Sequence, residues 1–418
     1  MSKWEETILS ECISVSSGEG LSERKMKPGP YLVYGGNGFA GLHDNYLYEQ
    51  EKLIIGRVGA HCGNVHITKS KSWVTDNALI VSFLNNEDDL RFWFYLLSNS
   101  NLRAHAFESA QPVITGGIIS KIKVAIPSPK TQRQIATILS TADAVIEKTQ
   151  AAIAKYKAIK QGMLQDLFTR GLVSEKVKGK SEKGEEEKTI WKLRPSYQDA
   201  PELYKESKLG WIPKEWEDNQ LSSVVEVING GTPSTQIKEY WNGEIPWLSV
   251  DDFNNSERFV STAYKKITQE GLKNSSTNIL MPDMVIISAR GTVGVISQLK
   301  IPMAFNQSCY GLNSINTNLQ NDYLYYFLIY YKQYFGFTTY GSVFGTITRN
   351  YFDTMYIPMN LNSDEQKIIV GRLGIIDKKL QTEQDFLHKQ QQIKAGLMGD
   401  LLSGRKKVIY KETITANE

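Results

Sequence analysis

Only three of the 418 residues are cysteine: Cys12, Cys62 and Cys309. They form no Cys-x-x-Cys pair and no even framework, which excludes a disulfide scaffold and leads us to expect a reducing, cytoplasmic setting. No apolar run reaches the roughly 18 residues that a membrane span needs. The richest stretch, Tyr323 to Tyr331, is short and full of tyrosine. The N-terminus, MSKWEETILSEC, has no apolar core of signal-peptide length. Net charge is also small, with 48 basic residues against 45 acidic ones for a total of +3. Such a balance neither selects nor excludes nucleic acid, and any basic surface must be local.

Catalytic signatures are missing as well. The chain has no Asn/Asp-Pro-Pro-Tyr/Phe tetrapeptide, the usual holder of a flipped adenine's amino group, and no FxGxG-type loop after a strand. Gly179-Lys180-Ser181 resembles the end of a phosphate-binding loop, but the glycine needed first falls on Ser174. Pro282-Asp283 has no Glu-x-Lys nearby to build a nuclease centre. His61, Cys62 and His66 cluster as HCGNVH without the second pair that a metal would want, so we expect no metal and no cofactor in this chain.

What is present is a long helix, written twice. Thr131–Thr169 and Glu365–Ser403 align without gaps at an offset of 234 residues (366 less 132), with Gln132 on Gln366, Asp143 on Asp377, Lys160 on Lys394 and Asp166 on Asp400. Rows of 4–3 spacing superpose. The first runs Ile135, Leu139, Ala142, Ile146, Thr149, Ile153, Tyr156, Lys160, Met163, Leu167. The second runs Ile369, Leu373, Ile376, Leu380, Glu383, Leu387, Gln390, Lys394, Leu397, Leu401. That period, 3.5 residues, belongs to a coiled-coil seam. A helix of about 39 residues is roughly 58 Å long at 1.5 Å per residue and cannot bury its seam alone. The simplest partner is the other copy.

The rest of the chain follows the same repeat. Residues 1–125 read as a first globule of short strands broken by glycine turns, with a helix near Asp88–Ser98. The Ile126-Pro-Ser-Pro129 element stops a strand and opens the first long helix, 126–171, with Gly171 as a left-handed cap. Residues 172–195, dense in mixed charge, read as a solvated linker. A second globule, 196–356, repeats the grammar: Trp216-Glu-Asp218 echoes Trp4-Glu-Glu6, the run ending in Arg290-Gly291 echoes the run ending in Arg57, and Leu324 with Phe327 echoes Leu90 with Trp93. The second long helix, 357–404, and a tail, 405–418, finish the chain. The expected fold is α+β: two mixed α/β globules separated by two long helices paired as an antiparallel coiled coil, an internal pseudo-two-fold repeat.

These residues resemble a known family. The order of elements, LGWIPKEWE (Leu209–Glu217), ING-G-TPS (Ile228–Ser234), IPW (Ile245–Trp247) and the terminal K-x-GLMxDLLSG (Lys394–Gly404) are similar to the specificity subunit of Type I restriction-modification enzymes over nearly the full length. The first half carries the motifs less fully and lacks a GWIP opening. The resemblance implies that each globule is a target-recognition domain for one half of an interrupted double-stranded DNA site. It implies that the helices dock two methyltransferase subunits. Adenine-N6 methylation, S-adenosylmethionine, ATP and Mg would then belong to partner subunits, including motor-nuclease subunits, and this chain would be non-catalytic. The rival readings are a stand-alone DNA methyltransferase and a coiled-coil scaffold indifferent to DNA.

DNA recognition needs cations for phosphates and amides, guanidinium groups or hydroxyls for base edges. Arg57, in RVGAHCGN, and Arg290, in RGTVG with Thr292, end apolar runs and begin glycine loops. Each either grips guanine or phosphate, or ties two loops through carbonyls. Asn77 and the pair Asn306-Gln307 read as adenine-edge amides or as internal turn bonds. Other candidates are Lys25, Lys27 and Tyr31; Lys69 and Lys71; Lys265 and Lys266; and Tyr340, Ser342, Thr346 and Arg349. The aromatics after Leu324 sit at helical spacing and read as core.

Overall fold

The computed structural model describes residues 4–107, 111–181, 184–253, 257–334, 346–360 and 363–406, with backbone alone for 179–181 and 184–186. The chain divides into two compact units: residues 1–152 with 383–418, and residues 153–382. Each unit therefore owns one stretch of each long helix.

The first unit begins with β1 (Glu5–Ile8) and β2 (Ile13–Ser17), then β3 (Tyr31–Gly35) and β4 (Gly38–His43). β5 (Leu53–Gly56), β6 (Val65–Ile67), β7 (Ser72–Val74) and β8 (Ala78–Phe83) follow, and then α1 (Leu90–Asn99), α2 (Gly116–Ile119) and β9 (Lys123–Ile126). Three sheets result: β1 with β9, β2-β8-β5-β6, and β4-β3-β7. Every residue of β5 is buried, which is why Leu53-Ile-Ile reads as a continuous apolar run rather than an alternation. Asp89 starts α1 by accepting hydrogen bonds from the Arg91 and Phe92 amides at 3.0 and 2.9 Å. The first long helix, α3 (Pro129–Thr169), opens on proline, whose missing N–H is no loss in a first turn. Its Ile135, Ala136 and Leu139 share one core with Phe92, Trp93 and Leu53, with Leu401 at the end of the C-terminal helix and with Leu402 just after it.

In the second unit α3 ends and the chain forms two hairpins, β10 (Leu172–Ser181) with β11 (Gly184–Leu193), and β12 (Tyr204–Ser207) with β13 (Gly210–Pro213). The solvated linker expected over 172–195 is thus replaced by a hairpin among the described residues. Backbone pairing holds it, its base is anchored by Leu172, Trp191 and Leu193 against the core, and the exposed ion pairs Lys176–Glu187 and Lys192–Glu175 add little. Then come β14 (Trp216–Gln220), α4 (Leu221–Val224), β15 (Val225–Asn229), β16 (Trp241–Leu248), β17 (Phe259–Val260), β18 (Lys265–Ile267), α5 (Gln269–Lys273) and β19 (Ile279–Leu280). β20 (Val285–Ser288), β21 (Ile296–Leu299), β22 (Met303–Phe305), β23 (Cys309–Ser314), α6 (Asn321–Tyr334), α7 (Tyr351–Thr354), β24 (Tyr356–Asn360) and α8 (Ser363–Leu401) complete it.

This unit repeats the frame of the first. β14 pairs β24 as β1 pairs β9, and β15-β23-β20-β21 repeats β2-β8-β5-β6. β16 takes an antiparallel β18 and a parallel β22, as β3 takes β4 and β7. β17 and β19 are additions at sheet edges. Most aromatics of α6 are core, as expected, for Tyr323, Tyr326 and Phe327 are fully buried and Phe168 of α3 lies on Tyr330, but Tyr334 at its end is exposed.

Backbone matching moves two sequence echoes. The Gln132 amide oxygen accepts from the Asp89 N–H, and that of Gln366 accepts from the Gln320 N–H. Leu324 therefore matches Trp93, not Leu90, because loops of different length shift the globule against the long-helix repeat. In the same way Gly56 pairs with Ala78 as Ser288 pairs with Cys309, so Arg57 matches Ala289 and Arg290 comes one residue later.

The long helices carry the same polar junction in each unit. In the first, Asp143 pairs with Lys394 and accepts from the Tyr95 hydroxyl at 2.6 Å. In the second, Asp377 pairs with Lys160 at 2.5 Å and accepts from the Tyr326 hydroxyl at 2.7 Å. Within each unit the two helix stretches run antiparallel, since Ile135 and Leu139 share a core with Leu401, and Leu164 and Leu167 share one with Ile369 and Leu373. Every residue of the two 4–3 rows is buried or half-buried. Gly171, at φ +64°, ends α3 where a Cβ would lie 2.4 Å from the Trp216 ring; Gly404, at φ +69°, follows α8 with Trp4 2.9 Å from such an atom.

Candidate nucleic-acid interface

In the first unit the candidates fall into two groups. One lies around the small β4-β3-β7 sheet. Tyr31 meets Tyr46 edge to face at 4.7 Å, and exposed Lys71 stands 5.9 Å over the Tyr46 ring and 3.6 Å from Glu49. Exposed Lys27 is 3.9 Å from Asp44. The Lys69 amide bonds the Tyr34 hydroxyl at 3.1 Å while its side chain is exposed, as is that of Lys25. Surface pairs of this kind contribute little to stability and leave the cations available.

The second group gathers at the ends of the central strands. Half-buried Arg57 directs Nη1 at the Ser17 hydroxyl, 3.4 Å away, and its amide bonds the Asn77 carbonyl at 2.9 Å. Gly36 belongs here because a Cβ on it would press within 2.8 Å of that same carbonyl. Asn77 and its neighbour Asp76 are both exposed.

In the second unit Arg290 and Thr292 are exposed on the loop between β20 and β21. Asn306 closes its own turn, accepting from the Ser308 amide at 3.1 Å, whereas Gln307 is exposed and accepts from the Thr232 hydroxyl. Lys265 and Lys266 are exposed on β18, with Lys265 6.0 Å over the Trp247 ring. Ahead of them stands Tyr264, 87% exposed, whose amide is fixed by Asp252 at 2.6 Å. The Ile347 amide bonds the Ala289 carbonyl at 2.9 Å, which brings Thr346 to the Arg290 loop. Arg349 is exposed and lines a cleft with Glu226 and Asp353. Tyr340 and Ser342 lie outside the described residues.

Among the described residues no three His, Cys, Asp or Glu side chains converge as a metal would require. In HCGNVH, burial and then the nearby His61 lower the His66 pKa, and burial raises that of Cys62. Among the described residues no helix is long and apolar enough to cross a membrane. Sequence reasoning missed Asp76, Thr232 and Tyr264. Each had a signal in the sequence: Asp76 adjoins Asn77, Thr232 lies in the Ile228–Ser234 motif, and Tyr264 adjoins Lys265.

The family model of the Type I restriction modification DNA specificity domain matches residues 1–156 and 213–395. The chain belongs to that family. It is 32% identical over 174 residues to the MjaIX specificity subunit of Methanocaldococcus jannaschii, covering 40% of this chain and 39% of that one. It is 24% identical to the putative MjaX specificity subunit of the same organism, over 85% of this chain and 80% of the relative. The chain thus spans about two fifths of the first relative's length and four fifths of the second's. In fold it is similar to the Type I restriction-modification S subunit from M. genitalium, with a TM-score of 0.64, 15% identity and 97% of each chain covered.

Proposed function

We propose that this chain is the specificity subunit of a Type I restriction-modification complex and that each unit reads one half of an interrupted DNA site. The observation that carries the reading is the repeat itself: one three-sheet frame occurs twice in one chain, each time bound to a stretch of both long helices. Two unlike readers in one chain suit an asymmetric, two-part target. The helices pair as an antiparallel coiled coil and dock the methyltransferase subunits. Those partners supply S-adenosylmethionine-dependent adenine methylation, and motor-nuclease subunits supply ATP- and Mg-dependent cleavage. This chain itself catalyses nothing. With all three cysteines free, it fits the reducing cytoplasm.

The test is methylation mapping with and without the methyltransferase partner. Complex and DNA should give methylation at one two-part sequence, and the chain alone should give none. Methyl transfer by the chain alone, or methylation without a two-part sequence, sinks the reading. Arg57→Ala should change recognition of one half only and Arg290→Ala of the other, with a lost base contact costing about 1–3 kcal/mol. An even loss over all sequences with a shallower salt slope would make them phosphate contacts. Ile146→Asp with Leu380→Asp, both half-buried seam positions, should abolish docking of the partner. An intact complex would count against the coiled coil.

A further inference from the structure

Each unit contains one tight turn where the frame is held constant and the presented side chain differs. In the first unit β7 turns into β8 through Thr75–Ala78; in the second β22 turns into β23 through 306–309. The closing amide bonds the opening carbonyl in both, Ala78 to Thr75 at 3.0 Å and Cys309 to Asn306 at 3.3 Å. The opening amide is tied to the neighbouring parallel strand in both, Thr75 to Tyr34 at 2.8 Å and Asn306 to Leu248 at 2.9 Å. The third carbonyl accepts from the end of the central strand, Asn77 from Arg57 at 2.9 Å and Ser308 from Ala289 at 2.7 Å. A glycine is pressed against the opening residue in both: a Cβ on Gly18 would lie 2.3 Å from the Thr75 oxygen, and one on Gly230 2.0 Å from the Asn306 oxygen.

The second residue of this turn is exposed in both units, Asp76 in one and Gln307 in the other. Among the described residues Asp76 makes no ion pair, and Gln307 receives the Thr232 hydroxyl on Oε1 with no hydrogen bond given by Nε2. A carboxylate on a face that meets phosphates is repelled unless it accepts from a donor there. On a base edge the donors are the exocyclic amino groups.

We propose that Asp76 and Gln307 occupy one equivalent base-reading position and determine the base chosen there in each half-site. Asp76 is acceptor-only and selects the amino group of cytosine. Gln307 offers a donor and an acceptor together and selects the edge of adenine. This rests on the reading of the chain as a DNA reader.

The experiment compares the parent, Asp76→Gln and Gln307→Asp, each as full chain with its methyltransferase partner, by selecting bound DNA from a random pool. Asp76→Gln should shift one position of one half-site towards adenine by about tenfold or more, and Gln307→Asp one position of the other half-site towards cytosine. All other positions and the unfolding midpoint should stay as in the parent, since both side chains are exposed. If the variants select the parent's sequence, or lose affinity evenly over all sequences, the proposal is overturned while the two-part reading stands. If the parent itself selects no two-part sequence, the reading beneath it falls too.

Discussion

The two units share a frame and differ in what fills it. Apart from the added β17 and β19, sheet order and register repeat, down to the single bonds Leu9 to Ile122 at 2.9 Å and Leu221 to Met355 at 2.8 Å. The filling does not repeat. Where the second unit seats a fully buried Trp216 against Glu365, the first seats a half-buried Trp4, and the long-helix repeat puts Thr131 at the place of Glu365. At the polar junction the Tyr326 hydroxyl also accepts from Arg258 at 3.0 Å, while Tyr95 has no arginine donor among the described residues. Backbone bonds and glycine contacts fix a frame without regard to most side chains. A duplicated frame can therefore diverge at its exposed turns and keep its shape.

The comparison breaks most sharply at the tryptophans that open each globule. Trp216→Ala removes a large ring from a core that includes Leu221, Ile357 and Ile369 and takes one hydrogen-bond donor from Glu365. It should cost about 3–5 kcal/mol. Trp4→Ala empties a site already open to water and should cost clearly less. Guanidinium unfolding of both variants checks this. Equal losses would mean that the two tryptophans are energetically alike and that the burial difference is of no consequence.

The polar junctions come next. Asp377→Ala leaves Lys160, whose side chain is 19% exposed, without its partner and should cost about 3 kcal/mol. Asp143→Ala leaves Lys394, but the lost carboxylate is 37% exposed and solvent screens the pair, so about 1 kcal/mol is expected. Burial comes first and the facing aspartate after it in pushing the Tyr95 and Tyr326 hydroxyls well above the ordinary tyrosine range, so both stay protonated donors at neutral pH. If the Asp143 variant proves the weaker of the two, the first junction is the tighter one despite its exposure.

Much of this architecture was legible in the sequence because its signals are local. A 3.5-residue period and a terminal glycine locate α3 and α8, and a proline opens α3; the second helix, expected from 357, starts at Ser363 because Ile357-Pro358 lies in β24, and the run Leu53-Ile-Ile betrays a strand buried on both faces. The hairpin at 172–193 was not legible. Its strands are backbone-paired and anchored in the core only at their base, by Leu172, Trp191 and Leu193, while the charged stretch between reads as solvated coil. Arg290 was matched to Arg57 by residue type, but hydrogen bonding, which the sequence does not display, pairs Arg57 with Ala289. Asp76 escaped notice because a search for DNA contacts looks for cations and amides, and a carboxylate becomes a candidate only once its turn is seen to match that of Gln307.

The finest test concerns Glu365, where the second unit buries a carboxylate and the first has Thr131. Glu365 accepts from the Leu172 amide at 2.6 Å and the Trp216 indole at 3.2 Å. Burial raises its pKa above the ordinary carboxylate value, and those two donors only partly offset the rise. The folded chain therefore keeps this proton at pH values where the unfolded chain has lost it. The group's contribution to stability is full below the unfolded pKa, falls as pH climbs through the folded pKa, and is level above it. Glu365→Gln keeps one acceptor oxygen and has no proton to lose. The difference in unfolding free energy between parent and variant should drift in the variant's favour as pH rises through that window and then flatten. Thr131→Val, the matching change in the first unit, should give a difference independent of pH. Unfolding curves at a series of pH values measure both. A parent that gains on Glu365→Gln as pH rises would mean that the indole and amide donors outweigh burial, and that Glu365 is held as a stable anion.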